Sequence, residues 1–290
     1  MKVILDGLLM DARQARISVF DHSFLYGDGI YETVRAYGYR VFHWPEHYRR
    51  LKQSARRLQL KCPWSSRYLF NGIVRVLRAN KSPQGSVRIS ISRGPGPLGL
   101  DPKLCPKPTL AMLLHPQRPM EALRQTGISI GIPEVRRNHP RSLDPQIKSN
   151  NSLNTILAKM ESRRMNVFEA VLLNLDGFLT EGTTSNLFFV KGKTVHTPSL
   201  TCGLLEGVTR RVVMDASRAA GWTVHEGRYT IKQLEKAEEV FLSSTTMEIM
   251  PVVRICVGHR SWKIGQGRPG AATRELQRAF QATVQKEMSL

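Results

Sequence analysis

The second half of the chain alternates short apolar runs with turn residues, and this pattern constrains the fold more than any other feature. Between the runs stand Asp176-Gly177 and Lys191-Gly-Lys193, which favour tight hairpin turns. The runs are Glu169 to Asn174, Phe178 to Thr180, Asn186 to Val190 and Thr194 to His196. Together they predict a strand meander or a barrel-like sheet.

Helical periodicity marks several other segments. His47, Leu51, Ser54 and Leu58 recur at helical spacing. One helix is predicted to begin at Tyr31 or shortly before it. Further helices are predicted over Pro45 to Leu58, Ser66 to Arg78, Ser152 to Arg164 and Gly207 to Gly221. Further strands are predicted at Val3 to Leu5, Ile17 to Val19, Val87 to Ser92, Ile128 to Pro133 and Glu239 to Ser243. The Gly- and Pro-rich stretch from Arg93 to Pro102 predicts a loop.

The length of 290 residues exceeds that of most single domains. We therefore expect an α/β protein of the two-domain α+β type. The predicted domains are residues 1–118, an N-terminal α/β domain, and residues 126–290, with an interdomain linker at residues 119–125.

Composition restricts the cellular setting and the cofactors. No apolar run approaches membrane-spanning length, so we expect a soluble cytoplasmic protein without a membrane partner. The four cysteines lack the close pairing of a zinc site or redox motif: Cys62, Cys105, Cys202 and Cys256. We therefore predict reduced thiols and no metal cofactor.

The formal net charge of +20 allows a basic nucleic-acid-binding protein as the non-enzyme alternative. However, the arginines form scattered doublets, such as Arg49-Arg50 and Arg136-Arg137, and not a tract interleaved with aromatic residues. The favoured interpretation is a solvated basic surface that attracts anionic substrates.

Two motifs carry a family resemblance. Lys148 lies in Asp-Pro-Gln-Ile-Lys-Ser-Asn-Asn-Ser-Leu-Asn, residues 144–154, and Glu181 lies in Leu-Thr-Glu-Gly-Thr-Thr-Ser-Asn-Leu-Phe-Phe, residues 179–189. The chain resembles the class IV (fold type IV) pyridoxal-phosphate aminotransferases from about Asp21 to Phe280. That group includes branched-chain and D-amino-acid aminotransferases and aminodeoxychorismate lyases. The resemblance implies pyridoxal 5'-phosphate as cofactor, amino acids and 2-oxo acids as substrates, and a homodimer.

The resemblance also implies roles for particular residues. Lys148 would form the Schiff base with the cofactor and then move a proton as the catalytic base. Glu181 would keep the pyridine nitrogen protonated, with Ser185 and Asn186 in the same motif. Leu205 is similar to the residue that packs on the ring face. The phosphate would be held by Arg50, by Gly207, Val208 and Thr209 at a helix start, and by Ser244 and Thr245.

The substrate residues combine features of three subfamilies. Tyr31, Thr33, Arg88, Leu98 and Thr246 are at the positions that contact substrate in the family. Leu98 replaces the arginine of D-amino-acid enzymes, while Arg88 matches an arginine of branched-chain enzymes. In the branched-chain enzymes a tyrosine stands where this chain has Ser86. Thr33 and the strand from Ile89 to Gly94 resemble the lyases.

The predicted reaction is therefore transamination of a branched-chain or other apolar amino acid with 2-oxoglutarate. The alternatives are D-amino-acid transamination and cleavage of 4-amino-4-deoxychorismate.

Overall fold

The chain forms two compact units. The structure, a computed structural model, describes residues 1–115 and 120–289. One unit contains residues 1–115 with Ile147–Ser152, and the other contains residues 120–146 with Leu153–Ser289. The domain boundaries drawn from the sequence stay a prediction, and residues 118 and 119 lie outside the described part. The units differ from that prediction because the segment with Lys148 belongs to the first unit.

The first unit is built on a six-stranded antiparallel sheet in the order β2-β1-β6-β5-β3-β4. Its elements are β1 (Lys2–Leu5), β2 (Leu8–Asp11), α1 (His22–Tyr26), β3 (Gly29–Tyr37), β4 (Arg40–Val41), α2 (Trp44–Arg57), α3 (Ser66–Ala79), β5 (Ser86–Ser92) and β6 (Thr109–His115).

One face of this sheet carries the core of the first unit. Burial alternates along β3, where Ile30 and Val34 are buried. They belong to one cluster with Ile89 of β5, Leu51 of α2 and Ile73 of α3. The helices therefore cover one face, and the alternate residues of β3 and β5 form the other, more polar face.

Two predictions for the first half are wrong. Residues from Gly29 to Tyr37 form strand β3 and not a helix, because the segment pairs with β5 along seven residues and buries every second side chain. The β-branched Thr33 and Val34 suit that environment. Residues 17–19 are not a strand. The predicted helices from Pro45 and Ser66 are confirmed as α2 and α3.

The second unit contains a nine-stranded sheet. Its elements are α4 (Glu121–Thr126), β7 (Ile128–Ile132), α5 (Leu153–Arg164), β8 (Glu169–Leu173), β9 (Leu179–Gly182), β10 (Asn186–Lys191), β11 (Thr194–Pro198), α6 (Val208–Ala219), β12 (Thr223–Gly227), α7 (Ile231–Glu235), β13 (Glu239–Ser244), β14 (Glu248–Val257), β15 (Arg260–Lys263) and α8 (Ala271–Ser289).

Pairing closes part of this sheet into a ring. The strand order runs β10-β13-β14-β7-β8-β9, and β9 pairs again with β10 at Glu181 and Asn186. The predicted meander of residues 169–196 is confirmed, and its closure is the barrel-like sheet. Phe188 and Phe241 stack in parallel on neighbouring strands, with ring centroids 5.0 Å apart. The residue before β10 and the end of β9 are therefore held in place by the closed sheet.

Two kinds of feature are absent from residues 1–115 and 120–289. No helix there is long and apolar enough to cross a bilayer. Within the same ranges, no group of three or more His, Cys, Asp or Glu side chains is arranged to hold a metal ion.

Ile89→Ala should destabilise the first unit, because Ile89 is fully buried in β5 against both helices. Truncation of a buried isoleucine costs about 2 to 5 kcal/mol of the free energy of unfolding. Urea unfolding followed by circular dichroism measures the loss. Leu8→Ala is the matched control, since Leu8 is 67% exposed and should change stability by less than about 0.5 kcal/mol. Equal effects of the two substitutions would contradict the assignment of the core.

Candidate active site

The backbone around Lys148 is held against the start of β3. The Tyr31 amide donates to the Lys148 carbonyl at 2.9 Å, and the Asn150 amide donates to the Gly29 carbonyl at 2.8 Å. The Lys148 amide in turn donates to Ser54 Oγ of α2 at 3.1 Å. These bonds fix the position of the Lys148 backbone, so its side chain starts from a rigid support.

Lys148 and Arg88 both lie over the ring of Tyr31. The Lys148 Nζ is 4.5 Å and the Arg88 Cζ is 3.7 Å from the ring centroid. Arg88 also donates to Ser90 Oγ and to Asn150 Oδ1, each at 3.1 Å. The structure therefore brings together three of the predicted residues, and two of them are cations.

The two cations change the acidity of the phenol. The charge of Lys148, with a further contribution from Arg88, lowers the pKa of Tyr31 although burial acts in the opposite direction. Burial lowers the pKa of Arg88. A cluster of this kind stabilises negative charge, as a substrate carboxylate requires.

The other two predicted substrate residues of the first unit are placed differently. Thr33 lies directly opposite Arg88 in the β3–β5 register, so both are on the polar face. Leu98 is 69% exposed in the loop after β5 and is not gathered with Tyr31.

Arg50 belongs to a buried ion-pair network. Its Nε donates to Glu32 Oε1 at 2.7 Å and a terminal nitrogen donates to Oε2 at 2.9 Å. His47 Nδ1 lies 2.9 Å from the same carboxylate. The neighbouring Arg49 is exposed, which supports the choice of Arg50 over Arg49 for a role inside the protein.

The network keeps its carboxylate charged and its imidazole neutral. Burial raises the pKa of Glu32, but the charge and hydrogen bonds of Arg50 outweigh it, so the pKa lies well below its usual range. Burial also lowers the pKa of His47 by more than Glu32 raises it. The sequence motifs do not single out Glu32, because its partners lie 15 and 18 residues away and no spacing marks them.

In the second unit, Glu181 is surrounded by donors. Arg137 approaches Glu181 Oε1 with Nε at 3.0 Å and with a terminal nitrogen at 2.9 Å. The Leu205 amide donates to Oε2 at 3.1 Å, and Asn186 Nδ2 lies 3.4 Å from the same oxygen. These contacts orient a buried carboxylate. In the sequence Arg137 is one of several loop arginines, and no spacing links it to Glu181.

The predicted phosphate residues lie at an open helix start. Gly207 is the N-cap of α6, and no side chain caps the helix. A Cβ at Gly207 would be 2.1 Å from Asn186 Oδ1, so only glycine permits this approach. Val208 and Thr209 form the first turn and are buried. The backbone amides of a first turn that no side chain caps can bind anions. With twelve residues, α6 also has a full helix dipole.

Buried hydroxyls near these residues lack partners within the described chain. Ser185 Oγ precedes β10, and Ser243 Oγ lies opposite Asn186 on β13. Ser244 ends β13, while Thr245 and Thr246 form the turn to β14, where the Met247 amide donates to Ser244 Oγ at 3.2 Å. A buried hydroxyl without a protein acceptor fits a ligand rich in acceptor oxygens, which a phosphorylated cofactor provides.

Comparison with known proteins identifies a family for most of the chain. The family model described as Amino-transferase class IV matches residues 29–255. A putative branched-chain-amino-acid aminotransferase of Methanocaldococcus jannaschii is 39% identical over 88% of this chain and 88% of its own length. A D-alanine aminotransferase of Bacillus licheniformis is 30% identical over 99% and 98%. An aminodeoxychorismate lyase of Bacillus subtilis is 32% identical over 87% and 86%.

Solved structures share the fold over nearly the whole chain. A branched-chain amino acid aminotransferase of Escherichia coli superposes with a TM-score of 0.91 at 27% identity, covering 97% of this chain and 93% of its own. One from Thermoproteus uzoniensis with norvaline has a TM-score of 0.89 at 29% identity, covering 98% and 94%.

The chain belongs to the class IV aminotransferases, which are pyridoxal-phosphate enzymes. The predicted family, the fold type IV architecture and the class of a pyridoxal-phosphate-dependent transaminase are confirmed. The three subfamilies named from the sequence are also those of the similar proteins.

Glu32→Gln should destabilise the protein, because it leaves the Arg50 guanidinium buried without its counter-charge. Removing one partner of a buried ion pair costs about 3 to 5 kcal/mol. Since the pKa of Glu32 is lowered by folding, its stabilisation is complete above the unfolded carboxyl pKa of about 4.3 and is lost as the pH falls. The difference in the free energy of unfolding between wild type and variant should therefore become smaller below about pH 4. Unfolding free energies measured from pH 7 to pH 3 test this.

The control for this experiment is Glu46→Gln on α2, the helix that carries Arg50 and His47. Glu46 is partly exposed and faces His43 at 3.4 Å, so its loss should cost less than about 1 kcal/mol. A Glu32→Gln variant that is as stable as the control at pH 7 would show that the network does not stabilise the first unit.

Proposed function

We propose that this enzyme transfers the amino group of an apolar amino acid, such as leucine or valine, to 2-oxoglutarate. The observation that carries the proposal is the packing of Lys148 and Arg88 on Tyr31, which brings an amine next to a guanidinium that would suit a carboxylate. The branched-chain aminotransferases among the similar proteins and structures support the same substrate class.

Several residues would hold pyridoxal 5'-phosphate. Lys148 would be its covalent attachment, and Glu181 would hold the proton on the pyridine nitrogen. The remaining contacts would come from Leu205 on the ring, from Ser185 and Asn186 beside Glu181, and from Arg50, Gly207, Val208, Thr209, Ser244 and Thr245 at the phosphate. When bound, the cofactor supplies an electron sink for the α-carbon of the amino acid.

The protein residues would divide the remaining work. Lys148, once released, would move the proton from the α-carbon of the substrate. Arg137 would orient Glu181, since it contacts the carboxylate at 2.9 Å. Tyr31 and Arg88 would bind the α-carboxylate, with Thr33 next to them and the backbone near Thr246 approaching the substrate.

Two alternative reactions have specific support. A D-amino-acid substrate is favoured by the similar D-alanine aminotransferases, although Leu98 supplies no charge to a carboxylate. Cleavage of 4-amino-4-deoxychorismate is favoured by the similar lyase and by Thr33. A screen of the bound-cofactor absorbance with L- and D-amino acids, together with an assay for released pyruvate, separates the three reactions.

Lys148→Ala should reduce turnover by at least about 100- to 10,000-fold, because it removes both the covalent attachment and the base. Borohydride should attach the cofactor covalently to the wild type and not to the variant. Mass spectrometry of the two proteins measures this. Lys61→Ala is the control, since Lys61 is exposed. Amino-group transfer by the Lys148 variant at a rate near that of the wild type would make the central assignment wrong.

We also propose a homodimer. Helix α5 exposes an apolar stripe at helical spacing: Leu153, Ile156, Leu157 and Met160. In the first unit, Val19, Phe20 and Phe24 are exposed as well. Apolar surfaces of this kind favour association with a second copy. A cytoplasmic location also stays a proposal, supported by the four free cysteines.

Leu157→Glu should weaken the dimer, because it introduces a charge into the α5 stripe. The molar mass from light scattering at micromolar concentration should fall toward that of one chain. Leu175→Glu is the matched control, since Leu175 is exposed in the turn between β8 and β9 and is not part of the stripe. A wild-type protein that is monomeric and active would contradict the proposal.

A further inference from the structure

The turn between β13 and β14 ends on a residue with an uncommon backbone conformation. Glu248, the first residue of β14, has a φ of 59°, in the left-handed region. Its partner across the hairpin is Ser244, the last residue of β13. A left-handed residue at the end of a hairpin turn is ordinarily glycine, because a Cβ there crowds the following carbonyl. Strain of this kind persists only where the surrounding structure holds it.

The Glu248 side chain is held from two helices. It is 4% exposed. Gln281 of α8 donates from Nε2 to Glu248 Oε2 at 2.6 Å, and Arg124 Nη1 of α4 lies 3.5 Å from the same oxygen. Arg124 also pairs with Glu121, which is exposed, so Glu248 is its buried partner. The carboxylate therefore ties the start of β14 to both α4 and α8.

The same two helices hold the backbone on either side of Glu248. Gln277 Nε2 of α8 donates to the Ile249 carbonyl at 3.2 Å and to the Arg124 carbonyl at 3.4 Å. Arg124 Nη1 reaches the Met247 carbonyl at 3.5 Å. The backbone from residue 247 to residue 249 is thus fixed by side chains that lie far away in the sequence.

The tip of the turn is the part that a ligand can reach. Residues 244–246 are half-buried, whereas the residues on either side of them are buried. In the proposed function, Ser244 and Thr245 contact the cofactor phosphate, and the backbone near Thr246 approaches the substrate. A carboxylate offers no donor to a phosphate and carries the same sign of charge. Glu248 can therefore serve this site only through the turn.

We propose that Glu248 is a positioning residue that sets the shape of the turn and thereby the affinity of the enzyme for the cofactor phosphate. The inference rests on the proposed function and adds a residue to it. A glycine would relieve the strain at this position, but it could not reach Arg124 or Gln281. The glutamate keeps the strained backbone and fixes the turn. A turn that is already ordered loses less conformational entropy when it binds an anion.

Two ligands that differ only in the phosphate test this role. Pyridoxamine 5'-phosphate has no aldehyde, so it forms no Schiff base with Lys148, and its Kd measures noncovalent contacts alone. Pyridoxamine has the same ring without the phosphate. Equilibrium dialysis of each ligand against the full chain, freed of its cofactor, gives the two Kd values. Their ratio isolates the contribution of the phosphate contacts.

Glu248→Asn should reduce the preference for the phosphorylated ligand. Asparagine adopts the left-handed conformation more readily than most residues, but its side chain is one methylene shorter and loses the contacts to α4 and α8. The Kd of pyridoxamine 5'-phosphate should rise about 10-fold, and that of pyridoxamine should stay within about 2-fold of the wild-type value. Glu248→Gln keeps the length of the side chain and should recover part of the preference.

A variant outside the turn gives an independent measurement. Gln281→Ala removes the 2.6 Å hydrogen bond to Glu248 and leaves the sequence of the turn intact. It should raise the Kd of pyridoxamine 5'-phosphate about 3-fold and leave that of pyridoxamine unchanged. Gln285→Ala is the matched control, since Gln285 is exposed on the same helix and should leave both Kd values unchanged.

The outcomes separate this role from a purely structural one. If Glu248 only stabilises the packing of α4 and α8, its variants should weaken both ligands equally or lower the stability without changing the ratio. Either result would overturn the role of Glu248. A wild type that binds the two ligands equally well would overturn the proposed phosphate site as well. A wild type that prefers the phosphorylated ligand supports that site, whatever the Glu248 variants do.

Discussion

The alternation of side chains along β3 is the constraint on which the first unit depends. Ile30, Glu32 and Val34 point into the layer formed with the helices, while Tyr31 and Thr33 lie on the other face. A shift of one residue in register would exchange the two sets and bury the polar side chains in the core. The core thus fixes the register, and the register in turn places the residues of the candidate site. The hydrophobic cluster therefore determines where Tyr31 meets Lys148.

Glu32 shows how closely stability and function are connected in this arrangement. It lies on the core face, where an unpaired carboxylate would be costly, and its ion pairs with Arg50 and His47 make its burial tolerable. The same pairing holds the Arg50 side chain in a single orientation. A side chain that is already ordered loses less conformational entropy when it binds a ligand. In the second unit, Arg137 orders Glu181 in a comparable way.

Much of this could be predicted from the sequence, and the exceptions have physical causes. The hairpins around Gly177 and Gly192 follow from local turn chemistry, and both glycines adopt positive φ. Strand β3 is not predicted because Glu32 and Arg35 favour helices locally, and only its pairing with β5 overrides them. The same reason applies to the site. Motifs identify Lys148 and Glu181, whereas the partners that position them come from distant parts of the chain that no local pattern connects.

The less exposed arginines differ in whether they have a carboxylate partner. Arg93 and Arg210 each pair with a carboxylate, namely Asp28 and Glu226, and so join elements of the fold. Arg35 and Arg88 have no such partner within the described residues, and both lie on the polar face of one sheet. An arginine without a protein counter-charge attracts anions strongly from a low-dielectric surface. The less exposed arginines therefore include some with a carboxylate partner and some without one, and of the latter Arg88 lies with Lys148 over the ring of Tyr31.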